Sequence, residues 1–325
     1  MADENKTRGN GDTAGAPNGP PPASGRPVIV GEVLFDVFED QKRVLGGAPF
    51  NVAWHLQAFG LDPLVVTRIG DDVLGAEIVS AMDRWGMDRS AVQVDPSAAT
   101  GRVEVDLGDE GPDFDIVPDQ AYDRIDSTAA VAAVRSVPSA LLYHGTLLAR
   151  SAAGREVLRE LVATVAAPVF IDVNLRDPWW DATTVLSLLD RAQWAKLNDD
   201  ELGRLVGPPD DPSIADDIEA AAERFARRHD LDELVMTCGA QGVMVFTDGR
   251  LIAGRPPESI EVVDTVGAGD AFSAVWIAGA LGGWPTGVTV ARALSFAAMV
   301  CGLRGATADD RRLYDETLAA WEEEG

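Results

Sequence analysis

Asp264-Thr-Val-Gly-Ala-Gly-Asp270, running on into Ala-Phe-Ser-Ala-Val-Trp-Ile-Ala-Gly279, is the stretch on which the reading of this chain turns. Gly267, Ala268 and Gly269 are small enough for successive backbone N–H groups to face outward and converge. The helix-forming run behind them adds the partial positive charge of a helix N-terminus. Together these make an anion hole suited to a migrating phosphoryl group. Asp270, beside that hole, is placed to take a proton from an attacking hydroxyl, so the segment reads as phosphoryl transfer to an alcohol. The plainer alternative is a glycine-rich loop with an aspartate cap.

A second patterned segment lies far upstream. Gly46-Gly-Ala-Pro-Phe-Asn-Val-Ala-Trp-His-Leu-Gln-Ala-Phe-Gly60 continues to Arg68-Ile-Gly-Asp-Asp-Val-Leu-Gly75. Gly46 and Gly47 allow a ligand close to the backbone. Pro49 suits a first helical turn. Asn51 presents an amide that both donates and accepts, as sugar hydroxyls require. Val52, Leu56 and Phe59 form an apolar stripe, so the helix packs on one side while its start is free to bind. At the end of the apolar strand Val169–Asp172, the run Asp172-Val-Asn-Leu-Arg176 enters the region where open α/β sheets bind ligands. Asn174 is a candidate sugar ligand there. Arg176 is a planar fork suited to phosphate, unless it pairs with Asp172 or Asp177.

These segments, in this order, resemble the ribokinase-like (PfkB) carbohydrate kinases from about Pro27 to the C-terminal helix. Gly31-Glu-Val-Leu-Phe-Asp36, the Gly46–Asn51 segment and Asp172–Arg176 are most similar to fructokinases. The resemblance implies ATP-dependent transfer to a sugar hydroxyl, with fructose the expected acceptor. It also implies Mg²⁺ carried with ATP, and K⁺ held by carbonyls near Asp264, Val266, Cys301 and Gly305, as in some relatives. Ribose, 2-keto-3-deoxygluconate and a non-catalytic sugar-binding role are the alternatives. Asp36 becomes a sugar ligand, able to accept from two adjacent hydroxyls; the other reading is a solvated edge-strand acid. Asn198 and Glu201 would organise Mg²⁺ near the phosphates, although Asn-x-x-Glu at a helix start is equally a capping box. Thr237, Gly239 and Gly242 would face the nucleotide, where sequence alone reads only a hairpin turn. The Asp264 side chain is a candidate at the cation site or a brace of the anion-hole turn.

The expected fold is α/β. Apolar strands at Val28–Gly31, Leu64–Ile69, Ala140–Tyr143, Pro168–Asp172, Gln193–Leu197, Glu233–Thr237 and Gly242–Phe246 alternate with helical stretches at 51–59, 75–85, 152–165, 199–205, 214–228, 270–281 and 288–303. That rhythm means a central, mostly parallel sheet with helices on both faces. Gly101-Arg-Val-Glu-Val-Asp-Leu107 breaks it by alternating apolar and charged residues, and with Phe114–Val117 it reads as a half-exposed hairpin. By resemblance, strands from about 33–48 and 100–118 form a small β-sheet lid over the sugar, which also serves as a homodimer interface. Residues 1–26, rich in Gly, Pro and Ala, read as a disordered tail before a kinase domain over 27–325.

Composition fits a cytoplasmic enzyme of small molecules. Net charge is −26, which repels nucleic acid and anionic membranes. The only lysines are Lys6, Lys42 and Lys196. A high-salt cytoplasm and a GC-rich genome both account for that balance. No apolar run reaches the ~18 residues of a membrane span. Cys238 and Cys301 form no metal-ligand or disulfide pattern, and the three histidines share no metal spacing.

Overall fold

The computed structural model describes residues 24–324 apart from 41, 109–110, 207–216 and 258–261. The expected tail therefore lies almost wholly outside the described residues, and Arg26 already begins the first strand. In chain order the elements are β1 (Arg26–Val30), β2 (Leu34–Phe38), β3 (Arg43–Gly46), α1 (Ala48–Ala58), β4 (Leu64–Gly70), α2 (Val73–Trp85), β5 (Val92–Asp95), β6 (Gly101–Gly108), β7 (Gly111–Ile116), α3 (Ser127–Arg135), β8 (Ser139–His144), α4 (Ala152–Thr164), β9 (Val169–Asp172), α5 (Ala182–Leu189), β10 (Trp194–Asn198), α6 (Asp199–Val206), α7 (Ile218–Arg228), β11 (Glu233–Thr237), β12 (Val243–Thr247), β13 (Arg250–Gly254), α8 (Ala268–Gly282), α9 (Thr286–Cys301) and α10 (Arg312–Glu324).

Nine strands form the central sheet in the order β13-β12-β11-β10-β9-β8-β1-β4-β5. Every pairing from β11 across to β5 is parallel, and only β12 and β13 run antiparallel to their neighbours. The apolar strands are buried on both faces because period-two alternation feeds two cores. Val28 and Val30 pack on one face with Val157 and Leu161 of α4, Val185 of α5, Leu202 of α6 and Phe225 of α7. Ile29 packs on the other with Leu56 of α1, Met82 of α2, Val275 of α8 and Phe296 of α9.

The second sheet has the order β3-β2-β6-β7. Its β6 shows the predicted alternation, with Gly101, Val103 and Val105 buried and Arg102, Glu104 and Asp106 exposed. β2 and β6 pair in parallel, flanked by antiparallel β3 and β7. The strands predicted near 33–40 and 43–45 are thus β2 and β3. Helix α1 starts at Ala48 rather than Asn51, because Pro49 sits in its first turn. The edge strands β5 and β13 and the helices α3 and α5 were not expected. They are short or half-exposed, so they lack the continuous apolar signal of the inner strands.

How the helices start sets up the site. Helices α2, α3, α4, α5 and α7 each have an Asp or Ser side chain accepting a first-turn N–H. Helices α1 and α8 have none; they start at Gly47 and Gly267, both at positive φ. Their first N–H groups are left for something other than the protein's own side chains.

Gly31 joins the two sheets at φ 151°, and a Cβ there would lie 2.5 Å from Pro49 Cγ. We expect Gly31→Ala to cost about 1–3 kcal/mol from backbone strain and displacement of the α1 start. A urea-unfolding midpoint equal to that of the parent protein would contradict this packing.

Candidate active site

The two motifs meet at the C-terminal edge of the sheet. Asn51 Nδ2 donates to Asp270 Oδ2 at 2.8 Å, a buried bond across 219 residues of sequence. A Cβ on Gly46 would fall 3.8 Å from Asn51 Oδ1 and 4.0 Å from Asp36 Oδ2. Gly46 thus leaves the space between the Asn51 amide and the Asp36 carboxylate open. Asn51 Oδ1 is buried with no partner among the described residues. Such an atom carries a desolvation cost of about 1–3 kcal/mol that a bound hydroxyl would relieve. Gly47 lies at φ 106° with its Cβ position 2.7 Å from Glu32 O, so only glycine admits this turn.

Asp270 lies in the first turn of α8 and is 9 % exposed. Burial pushes its carboxyl up from 3.8 to about 6; the charge of Asp172 adds to this, while Asn51, Lys196 and Arg176 oppose it. A carboxylate poised there is able to take a proton near neutral pH. Beneath it, Lys196 Nζ donates to Asp172 Oδ2 at 2.6 Å. The same oxygen accepts from Tyr143 Oη at 3.1 Å and Ser273 Oγ at 2.9 Å. A Cβ on Gly269 would stand 3.3 Å from Lys196 Nζ. The first turn of α8 therefore rests on a buried ammonium, which adds positive charge to that of the helix end. This pair was not foreseen. Its one sequence signal is a lysine and an aspartate inside two otherwise apolar strands.

Arg176 is exposed and in no ion pair among the described residues. Asp172 is taken by Lys196 at 2.6 Å, and Asp177 by Arg204 at 2.6 Å. Its charge lowers the carboxyl groups of Asp36, Glu32 and Asp270, so it stands over the acids of the site. Asp36 is nevertheless raised to about 6, first by burial. Asn174 is held at a left-handed φ of 39° between Asp172 and Arg176.

Further along the sheet edge, Asn198 pairs in register with Thr237. Asn198 and Glu201 form the capping box: Glu201 N donates to Asn198 Oδ1 and Asn198 N to Glu201 Oε2, both at 2.8 Å. Glu201 Oε1 accepts from Leu175 N at 2.7 Å, which fixes the Asn174–Arg176 turn. Thr237, Gly239 and Gly242 form the β11–β12 hairpin. A Cβ on Gly242 would meet Gly254 O at 2.0 Å, so that glycine serves strand packing against β13. Asp264 braces the anion-hole turn, accepting from Val266 N at 3.0 Å and from Gly305 N at 3.2 Å. The segments around Asp264 and Gly305 are thereby adjacent. The Cys301 carbonyl already accepts from Val263 N and Asp264 N. Among the described residues no group of three or more His, Cys, Asp or Glu side chains could hold a metal, and no helix is long and apolar enough to cross a membrane.

A family model described as pfkB family carbohydrate kinase matches residues 32–312. The chain belongs to this family. It is 28% identical over 299 residues to a fructokinase of Klebsiella pneumoniae, covering 88% of this chain and 94% of that one. Among solved structures, a Vibrio cholerae O395 fructokinase in a fructose-, ADP- and potassium-bound form superposes with a TM-score of 0.76 at 22% identity, covering 90% of this chain and 98% of that one. A 2-dehydro-3-deoxygluconokinase of Thermotoga maritima gives 0.76 at 18% identity, covering 91% and 99%. The carbohydrate kinase has its Gly-Ala-Gly turn, its Asp270 and its Gly46-Gly47 segment intact and assembled.

Lys196→Met would leave Asp172 charged and buried without its cation, the two side chains being 3% and 8% exposed in the parent. We expect a loss of about 3–5 kcal/mol in urea unfolding. A loss within about 1 kcal/mol, the range of an exposed pair, would contradict the assigned burial.

Proposed function

We propose that this carbohydrate kinase transfers the γ-phosphoryl group of ATP to a hydroxyl of fructose. The observation that carries the reading is the Asn51–Asp270 bond, which joins the sugar-type segment to the phosphoryl-type turn beside the open space at Gly46. The Asp36 carboxylate and the free Asn51 oxygen hold the acceptor's hydroxyls. Asp270 takes the proton from the reacting hydroxyl as it attacks. The N–H groups behind Gly267 at Gly269 and Asp270 receive the developing charge, with Arg176 beside them. The fructokinase relatives support fructose over other sugars.

The nucleotide is assigned to the side of Thr237 and Gly239, next to Asn198 on the same edge. The residues fit Mg²⁺ as an ion carried by ATP rather than held in a protein cage. Glu201 is a buried carboxylate at that end, and backbone N–H groups already engage both its oxygens, which suits contact through water. When bound, Mg²⁺ neutralises phosphate charge. K⁺ is assigned to the carbonyls where the Asp264 and Gly305 segments meet, as a potassium-bound relative suggests. The four-stranded sheet is assigned as the lid, and the exposed Phe114 on its edge strand supports self-association through it. A second acceptor class is favoured by Arg176, whose cation, in no ion pair among the described residues, would suit the carboxylate of a 2-keto-3-deoxy sugar acid.

ADP release from Mg·ATP across a sugar panel, with and without K⁺, tests the assignment. Selective turnover of fructose supports it. Preference for a sugar acid, lost in Arg176→Ala, would transfer the assignment to that class. Asp270→Asn should retain the fold and nucleotide affinity while turnover falls at least ~10²-fold. Near-parental turnover would remove Asp270 from its role.

A further inference from the structure

Arg150, in the turn Leu147–Arg150 after β8, has a side chain 5% exposed. Its Nε donates to Asp123 Oδ1 at 2.8 Å, and its Nη2 donates to Asp123 Oδ2 at 2.6 Å and to Val117 O at 2.9 Å. The guanidinium also lies over two rings, 5.0 Å from Tyr122 and 4.8 Å from Trp179. Val117, Tyr122 and Asp123 belong to the segment by which β7 leaves the small sheet. Trp179 belongs to the loop that carries Arg176, and its N–H donates to Arg176 O at 2.7 Å. One planar cation therefore grips the base of the small sheet with its edge and the Arg176 loop with its face.

The same place gathers polar atoms that the protein leaves unpaired. Arg150 Nη1, Tyr122 Oη and Glu32 Oε2 are all buried with no hydrogen-bond partner among the described residues. Glu32 follows β1 where the chain crosses into β2, and the charge of Arg150 acts on both its carboxyl and the Tyr122 hydroxyl. A Cβ on Gly101, the first residue of β6, would lie 2.8 Å from the Tyr122 ring. Both parallel strands of the small sheet are thus rooted beside two unpaired donors and one unpaired acceptor. These groups are complementary in donor and acceptor character.

A buried ion pair adds little to stability after its desolvation cost, and its best-attested use is to fix one arrangement. Here the arrangement fixed is that of the small sheet against the Arg176 loop. We propose that Arg150 is a positioning residue for phosphoryl transfer, coupling closure of the small sheet over the acceptor to the placement of Arg176. The inference rests on the kinase reading above. It requires arginine specifically, because lysine offers neither a two-pronged edge nor a flat face.

The test is Arg150→Lys, which keeps a cation opposite Asp123. Turnover should fall roughly ten- to a hundredfold, the size of a positioning loss. The acceptor KM and the fraction of ATP hydrolysed without transfer should both rise, with nucleotide KM and urea midpoint near those of the parent. Tyr122→Phe should move the same quantities in the same direction by less. If Arg150→Lys unfolds, the double variant Arg150→Met with Asp123→Asn removes both charges and supplies a folded background in which the same kinetic changes are expected. A folded variant with parental turnover and coupling overturns the inference. So does a loss of active protein alone, with KM and coupling unchanged. A parent protein silent on every sugar would instead overturn the kinase reading itself.

Discussion

Two carboxylates, Asp270 and Asp172, are buried close enough at the start of α8 for the charge of one to raise the pKa of the other. Two like charges in a poorly solvated site are tolerated only if something neutralises them. The protein supplies one ammonium, Lys196, and three neutral donors, Tyr143, Ser273 and Asn51. Asp172 takes most of these and stays a fixed partner of Lys196. Asp270 takes only Asn51 and is left poised. The separate fates of the two acids follow from this unequal sharing, and the position of α8, the Gly267 turn and the Asn51 helix all depend on it.

The surface charge sets a second constraint. At a net charge of −26, anionic ATP meets a repelling field over most of the molecule. Cations near the reaction therefore matter more than their number suggests. Lys196 is committed beneath the helix start, Arg150 to Asp123 and Arg204 to Asp177. Arg176 stays exposed and outside any ion pair among the described residues, and its charge acts on Asp36, Glu32 and Asp270, so it is an arginine of the site able to meet a phosphate or carboxylate. Its placement through the Leu175–Glu201 bond and the Trp179–Arg150 stack gives a physical reason for that surrounding architecture.

What could be read from the sequence was whatever is written locally. Inner strands such as Val28–Val30 and Glu233–Thr237 carry continuous apolar runs, and β6 carries strict alternation, so both sheets were legible. The glycine turns and Asp270 were legible because their chemistry lies within a few residues. The Asp172–Lys196 pair was not, since those residues become neighbours only once β9 and β10 lie side by side. Arg150 was missed for the same reason: its partners come from the segment after β7 and the loop after β9. The capping box at Asn198 and Glu201 was legible as one of two alternatives. The structure forms it, and a water-mediated role toward Mg²⁺ is a proposal built upon it.

The central claim is that burial at the start of α8 tunes Asp270 to act as the base. The most direct measurement is kcat against pH with acceptor and Mg·ATP both saturating, so that the part proposed for Asp36 in binding does not enter. Asp270 acts as the carboxylate in this account and burial raises its carboxyl in the ligand-free protein, so turnover should fall on the acid side at a pH above the ordinary carboxylate range. A profile that stays flat down to the ordinary carboxylate range, about 4, would contradict the account.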